Sequence, residues 1–314
     1  MKFTVGIPAY KAAYLKECID SILAQTCTDF ELVIVNDASP EDIDVIVDAY
    51  GGDYIRYYKN EKNFGAINVV DNWNKCLSYA HGEYFILMGD DDKMCPDYLE
   101  EFSTLIEKYP ECDVYHCRTI VIDSESVPIG LTESRPEFES VYDSILQRMN
   151  GRHFFISDFV YKTNTLKSNR GFYKLPFAWA SDDISSFIAA EKYGIAHTNK
   201  PVFMYRQNSQ TISNTGDIYV KMEAIFEEEK WYKTFFLDRN PPNDIDKLLK
   251  GIIKTEITKY IQKKKIYTIY SSPNNIASFL KLYSLRKKYK LSSDEILYGF
   301  LMWIREKKKK RYKI

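Results

Sequence analysis

Glu83-Tyr84-Phe85-Ile86-Leu87-Met88-Gly89-Asp90-Asp91-Asp92 is an apolar run that stops abruptly at three consecutive carboxylates. Five hydrophobic residues between Gly82 and Gly89 are too few for a stable helix and suit a strand buried on both faces, one that delivers acids to its own carboxyl end. In open α/β sheets that edge is where ligands bind. Three adjacent carboxylates repel one another and persist where water, a cation or hydrogen-bond donors relieve them. A hard divalent ion, Mg²⁺ or Mn²⁺, is one such partner, because it takes oxygen ligands from one or two carboxylates and a diphosphate. An acidic turn capping the following helix is the other reading of the same residues.

Outward from this stretch, Phe3-Thr4-Val5-Gly6-Ile7 reads as a strand ended by Pro8, and Leu15, Cys18, Ile19, Ile22 and Leu23 mark one face of a helix. Phe30 to Val35 repeats the pattern and ends in Asn36-Asp37-Ala38-Ser39-Pro40, with a helix around Asp42 to Ala49. Tyr54 to Tyr58 predicts a third strand and Ala66 to Ala80 a helix. Strands alternating with helices of this length imply parallel βαβ units, so the fold class is α/β with helices on both faces of a mostly parallel sheet. Ser124 to Ser140 reads as a loop, and beyond Ser213 two apolar stripes, from Ile245 to Ile261 and from Ile296 to Ile304, predict helices that pack on each other or on the preceding domain.

At 314 residues, 45% hydrophobic and 28% charged, the chain has the composition of a soluble globular protein. It carries no apolar leader and no run long enough to span a membrane, so a cytoplasmic location is expected. Six scattered cysteines and four histidines, including His116 and His153, lack zinc spacing and read as structural. From Ile245 onward there are 19 Lys and Arg against 5 Asp and Glu, whereas the preceding residues carry a net −15. The segment Phe300 to Ile304 with the basic run to Lys313 has the composition of a helix lying on an anionic membrane surface, and a solvated helix packed on the body fits it equally. No glycine-rich dinucleotide cradle follows the first strand and no P-loop occurs, so a nucleotide would be held by other means.

Pro8-Ala9-Tyr10, Asp20 to Thr26, Glu31 to Ser39, Asn63-Phe64-Gly65, Gly89 to Asp92 with Pro96 to Leu99, Ser181-Asp182-Asp183, and Tyr205-Arg206 with Ile212-Ser213 together resemble family 2 glycosyltransferases of the GT-A fold. The resemblance implies a catalytic domain over residues 1–215 and a helical, basic region over 216–314. It implies transfer of a sugar, with inversion, from a nucleotide diphosphate donor to a glycan or lipid-linked acceptor in cell-surface polysaccharide synthesis, the donor expected to be a UDP-sugar. It places Pro8 and Tyr10 against the base, Asp37 on the imide N–H, and Asn63 and Asp90 in the nucleotide site. Asp91 falls on the metal position, assisted by Asp90 or Asp92, with Mn²⁺ or Mg²⁺ as the cofactor. Asp183 takes the catalytic base and Asp182 the neighbouring acid, although an N-cap also explains either. Gly89 stands where many relatives carry an Asp, Lys11 where many carry Asn, and Asn68 or Asn72 near where some carry Arg, which leaves Arg206 to neutralise phosphate. A catalytically silent sugar-nucleotide or glycan-binding module is the rival reading. A nucleotidyltransferase is disfavoured because the basic glycine-rich loop it needs is missing.

Overall fold

A computed structural model describes residues 1–207, 217–272 and 275–311. Ile212 and Ser213, and Tyr312 and Lys313 of the tail, lie outside the described residues. The chain forms two compact units, one of Met1–Lys174 with the stretch from Ser181 to Gln207, the other of Leu175–Ala180 with the described residues from Asp217 onward.

The first unit is built on one sheet of ten strands: β1 Phe3–Ala9, β2 Phe30–Asn36, β3 Ile55–Lys59, β4 Tyr84–Leu87, β5 Lys93–Met94, β6 Val114–Ile122, β7 Pro128–Leu131, β8 Phe138–Glu139, β9 Phe159–Lys162 and β10 Ile195–Arg206. Its strand order is β3-β2-β1-β4-β9-β6-β10-β5, with β7 beside β6 and β8 beside β10. The helices are α1 Leu15–Leu23, α2 Ile43–Asp48, α3 Val69–Ser78, α4 Tyr98–Lys108, α5 Val141–Met149, α6 Thr163–Ser168 and α7 Ser181–Ala189. Strands β3, β2, β1 and β4 are parallel, and every residue of β2 and β4 is buried, as apolar runs demand of strands covered on both faces. Chain order runs 3-2-1 on one side of β1 and jumps to 4 on the other. The crevice where it reverses opens at the carboxyl ends of β1 and β4, the position at which such sheets bind ligands.

Two elements differ from expectation. Strand β1 continues through Pro8 to Ala9, because it still pairs with β2 there while β4 has left at Leu87, so the proline has one strand neighbour rather than two. The segment read as a loop from Ser124 to Ser140 contains β7 and β8. Their partners, β6 and β10, are remote in sequence or offset by a bulge, and β7 is exposed along its length, so no local alternation marks them.

In the second unit, α8 (Ile218–Trp231) leads through a π turn (Tyr232–Phe236) and on to α9 (Asp244–Ser271), α10 (Ile276–Ser284) and α11 (Ser293–Arg311). Asp217, Asn243 and Asn275 cap the first three of these by accepting backbone N–H bonds from the opening turn. Glu228 on α8 is buried and met by Lys264 Nζ at 2.6 and 2.8 Å, tying α8 to α9. The expected stripe on α9 is split: Ile253, Ile257, Tyr260 and Ile261 are buried, whereas Ile245 and Leu248 are exposed. Farther along, α9 packs on α11, where Gly299 gives Ile269 room. Trp303, in the segment whose composition fits a membrane-surface helix and a helix packed on the body equally, is buried edge-on against Phe279 at 5.2 Å, with Lys307 over its ring at 4.1 Å. Among the described residues no helix is long and apolar enough to cross a membrane.

Strand β2 carries a buried charge. Glu31 of β2 is buried and accepts from Thr4 Oγ1 at 2.6 Å, from His81 N at 2.7 Å and from Arg56 Nη2 at 2.5 Å. Burial pushes its pKa up, but the bonds from Thr4, His81 and Arg56 outweigh it and hold the carboxyl below its ordinary value of 4.5. A carboxyl with a depressed folded value stabilises the fold fully above pH 4.5 and loses that contribution as pH falls through the folded value. Glu31→Gln is therefore expected to cost about 1–3 kcal/mol at pH 7 and to narrow the gap in unfolding free energy between pH 7 and acid, measured by urea titration at both. An unchanged gap would remove Glu31 from the acid response.

Candidate active site at the carboxyl ends of β1, β2 and β4

Each of the three acids after β4 meets a different partner. Asp90 turns back across the crevice and accepts through Oδ2 from the backbone N–H groups of Tyr10 and Lys11, both at 2.8 Å. Asp92 is buried, with Oδ1 accepting from Arg206 N at 2.9 Å and Oδ2 from Ser157 Oγ at 3.4 Å. Asp91, half-buried between them, accepts from Arg206 Nε through its backbone carbonyl at 2.8 Å. Burial and then the charge of Asp91 push Asp90 up to about 6, and the same two causes push Asp92 well up. At Gly89 a Cβ would stand 2.6 Å from Asp92 Oδ2, so Asp92 as it lies here fills the space that a side chain at 89 would take. The expected assistance to Asp91 thus splits. Asp90 fixes the loop after β1, and the carboxylate of Asp92 is committed to Arg206 and Ser157.

Beside this turn, the end of β2 carries Asp37. Its N–H bonds Ala9 O at 2.9 Å, which locks the ends of β1 and β2 together. Oδ1 accepts from Asn60 Nδ2 at 2.9 Å and Phe64 N at 3.0 Å, so one face of the carboxylate is fixed. Ala38 follows at a φ of 48°, a strained value for a non-glycine residue, and Ser39 Oγ then bonds Tyr10 O at 2.5 Å. Tyr10 is 39% exposed, an open ring at the mouth of the crevice, with Pro8 half-buried below it. Asn63 closes its own turn by accepting from Gly65 N. Asn68 is exposed and donates to Phe64 O at 3.1 Å, whereas Asn72 is buried between Val35 O and Asn60 and so shapes the wall.

Arg206 departs from its expected role. It is 1% exposed, and its side chain spends all five N–H donors inside the protein. Nε bonds Asp91 O, Nη1 bonds Asp123 O and Ser124 O, both at 3.1 Å, and Nη2 bonds Glu17 Oε2 at 3.1 Å and Ser126 Oγ at 3.0 Å. Its guanidinium also stacks 4.1 Å over Tyr14. It is a strut under the acidic turn, and sequence reasoning, which assigns a charge but not its direction, gave it to phosphate.

The second acid pair opens α7. Asp183 is 1% exposed, and both of its oxygens lie 2.9 Å from Arg148 Nε at the end of α5. Asp182 is the half-buried member. The family pattern puts the base at Asp183; the geometry gives Asp183 to Arg148 and leaves Asp182 nearer the solvent. A 3₁₀ turn, Ile156–Asp158, joins the two acid groups. Ser157 Oγ accepts from Gly89 N at 3.1 Å on one side, and on the other Asp158 lies close enough to Asp182 to feel its charge. Burial, opposed by Arg135 and reinforced by Asp182, pushes Asp158 up to about 8. His116 is buried with Nε2 3.3 Å from Asp158, and His153 pairs with Glu133 at the surface. Sequence gave no signal for Arg148, Ser157, Asn60 or Glu17, because each reaches its partner across a fold contact. Among the described residues no group of three or more His, Cys, Asp or Glu is arranged around a metal position.

The glycosyl transferase family 2 profile matches residues 4–172. Among curated proteins, an uncharacterised glycosyltransferase of Rickettsia typhi is 33% identical over 125 residues, which is 39% of this chain and 38% of that protein. The poly(ribitol-phosphate) β-N-acetylglucosaminyltransferase TarS of Staphylococcus aureus is 23% identical over 235 residues, 72% of this chain and 39% of that protein. The matched stretches thus span about two fifths of these relatives. Of solved structures, S. aureus TarS 1–349 in complex with UDP-GlcNAc superposes with a TM-score of 0.67 at 17% identity, covering 98% of this chain and 92% of that one. The mannosyltransferase PcManGT of Pyrobaculum calidifontis in complex with GDP-Man and Mn²⁺ gives 0.55 at 15% identity, covering 98% and 88%. At these identities the likenesses establish the fold, GT-A. The profile spans more than half of the 314 residues, and the chain belongs to glycosyl transferase family 2.

Proposed function

We propose that the chain transfers a sugar, with inversion, from a UDP-sugar to a hydroxyl of a glycan or lipid-linked acceptor on the cytoplasmic side of cell-surface polysaccharide synthesis. The observation that carries the donor site is Asp37: its Oδ1 is held by Asn60 and Phe64, and in this reading its other oxygen accepts from a base N–H stacked on the exposed ring of Tyr10. The UDP-GlcNAc bound to TarS supports a UDP-N-acetylhexosamine as the first donor to try. The acceptor oxygen attacks the anomeric carbon, the bond from that carbon to the diphosphate oxygen breaks, the nucleoside diphosphate leaves, and the hydroxyl proton passes to a carboxylate. Asp182 takes that proton, since Asp183 is spent on Arg148 and serves to fix the start of α7. Lys11, whose N–H meets Asp90, is the basic residue that the β1 loop brings to the phosphates.

The oxygen donors at the acidic turn suit Mg²⁺ or Mn²⁺, which one or two carboxylates hold together with diphosphate oxygens. Asp91, with Asp90 beside it, would hold the ion, which supplies charge stabilisation to the departing diphosphate. A protein that binds the donor without transferring it is the alternative, and the burial of Asp183 is the feature that favours it.

Nucleotide release across UDP-, GDP- and dTDP-sugars tests the reading, with release expected from a UDP-sugar and binding without release expected of a silent module. Asp91→Asn should remove most metal-dependent UDP affinity without lowering the melting temperature; equal UDP affinity in EDTA and in Mn²⁺ would count against the ion. Asp182→Asn should leave UDP affinity nearly intact and lower turnover by about 10² to 10⁴, whereas Asp183→Asn should first lower stability. Loss of turnover at unchanged stability in Asp183→Asn, with Asp182→Asn active, would return the base to Asp183. Arg206→Lys keeps the charge but loses the planar fork, and should cost about 2–4 kcal/mol of stability. Weakened UDP binding with the fold untouched would instead make Arg206 a phosphate ligand.

A further inference from the structure

Helices α10 and α11 leave an apolar groove of about 390 Å³ open to solvent. Phe279 packs edge-on against Phe300 at 4.9 Å and forms its floor with it, while Ile276, Leu280 and Tyr283 stand along one lip and Leu297 along the other. These lips are not merely grazed by water: Leu280 is 71% and Leu297 56% exposed, and Leu301 continues the second lip one turn on. A continuous apolar strip of this kind on a soluble unit marks an interaction surface.

Its surroundings say what covers it. Between Ile276 and Lys308 there are eight Lys and Arg against three acidic residues. On α11 the exposed ridge reads Leu297, Leu301, Arg305, Lys308, at spacings that keep apolar and basic residues on one helical face. Beyond the end of α10, the Arg286 guanidinium stacks at 4.1 Å on Tyr283, so basic groups border the strip on both helices. Asp294 lines the groove as its one acid. A second copy of the chain would bring the same positive charge to the same strip, which disfavours pairing by two-fold symmetry. Apolar side chains among cationic ones match instead a bilayer whose headgroups are anionic and whose acyl chains begin a few ångströms below.

We propose that the α10–α11 groove is a membrane-docking surface, in which Leu280, Tyr283, Leu297 and Leu301 enter the interface of an anionic bilayer while Arg286, Arg305 and Lys308 meet its headgroups. Docking does not depend on which sugar is transferred, so it stands or fails apart from the catalytic reading. The full chain is to be floated with phosphatidylcholine vesicles and with vesicles containing phosphatidylglycerol, at low and high salt. Binding to the anionic vesicles at low salt is expected, weakened about fivefold by each of Arg305→Gln and Lys308→Gln, the worth of one basic residue near such a surface. The double variant Leu280→Glu with Leu297→Glu should lower it about tenfold or more, with the helical circular dichroism unchanged because both side chains already face water. No flotation with anionic vesicles, or flotation indifferent to the double variant, overturns the proposal. So does a dimer in sedimentation that the double variant splits, which would make the groove a self-association face, or nucleic-acid binding lost in Arg305→Gln without any flotation.

Discussion

The guanidinium of Arg206 is the constraint on which the candidate site depends. One planar group with five donors reaches the carbonyl of Asp91, the carbonyls of Asp123 and Ser124, the carboxylate of Glu17 and the hydroxyl of Ser126, and so pins the acidic turn, the end of β6 and helix α1 to the last residue of β10. An ammonium could not do this, because its three donors radiate from a point and cannot span acceptors set in a plane. The arginine is fully desolvated, and only the completeness of its bonding makes that tolerable. The orientation of Asp91 is therefore inherited from the far end of the sheet, through a side chain that itself never meets solvent.

The three consecutive acids illustrate how a fold lodges repelling charges at close quarters. Backbone N–H groups do most of the work: Tyr10 and Lys11 for Asp90, Arg206 for Asp92. Such donors carry no net charge, so they quiet two of the carboxylates without neutralising the field that a cation would feel at the third. Ser157 adds the link that makes the two acid clusters one assembly, since the same short turn places Asp158 near Asp182.

The strands that build the crevice were legible because burial on both faces leaves an unbroken apolar run, as in Phe30 to Val35 and Tyr84 to Met88. Helix α1 was legible from its periodic face. The acids at strand ends marked the candidate site. What could not be read was direction and distance. Nothing in the residue type of Arg206 says that it points inward, and nothing near Asp183 announces a guanidinium 35 residues upstream. Strands β7 and β8 are defined by their partners rather than by their own side chains. The tail was read correctly as basic and apolar, yet the face that buries Trp303 and exposes Leu297 is chosen by Phe279, a residue on another helix.

The excursion Leu175–Ala180 has a consequence for anyone who dissects the chain. These six residues belong by packing to the second unit, where Lys221 of α8 lies 5.0 Å over the ring of Trp179, yet they are followed at once by the helix that carries Asp182 and Asp183. Phe177, Ala178 and Ala180 hold positive φ values there, a conformation that non-glycine residues keep only when their surroundings impose it. The boundary between the units is thus crossed three times by the chain, and a cut after the last strand does not yield the first unit intact. It strands a strained hexapeptide without its support, directly upstream of the acids. A chimera that exchanges the helical region for that of a relative has to exchange residues 175–180 with it.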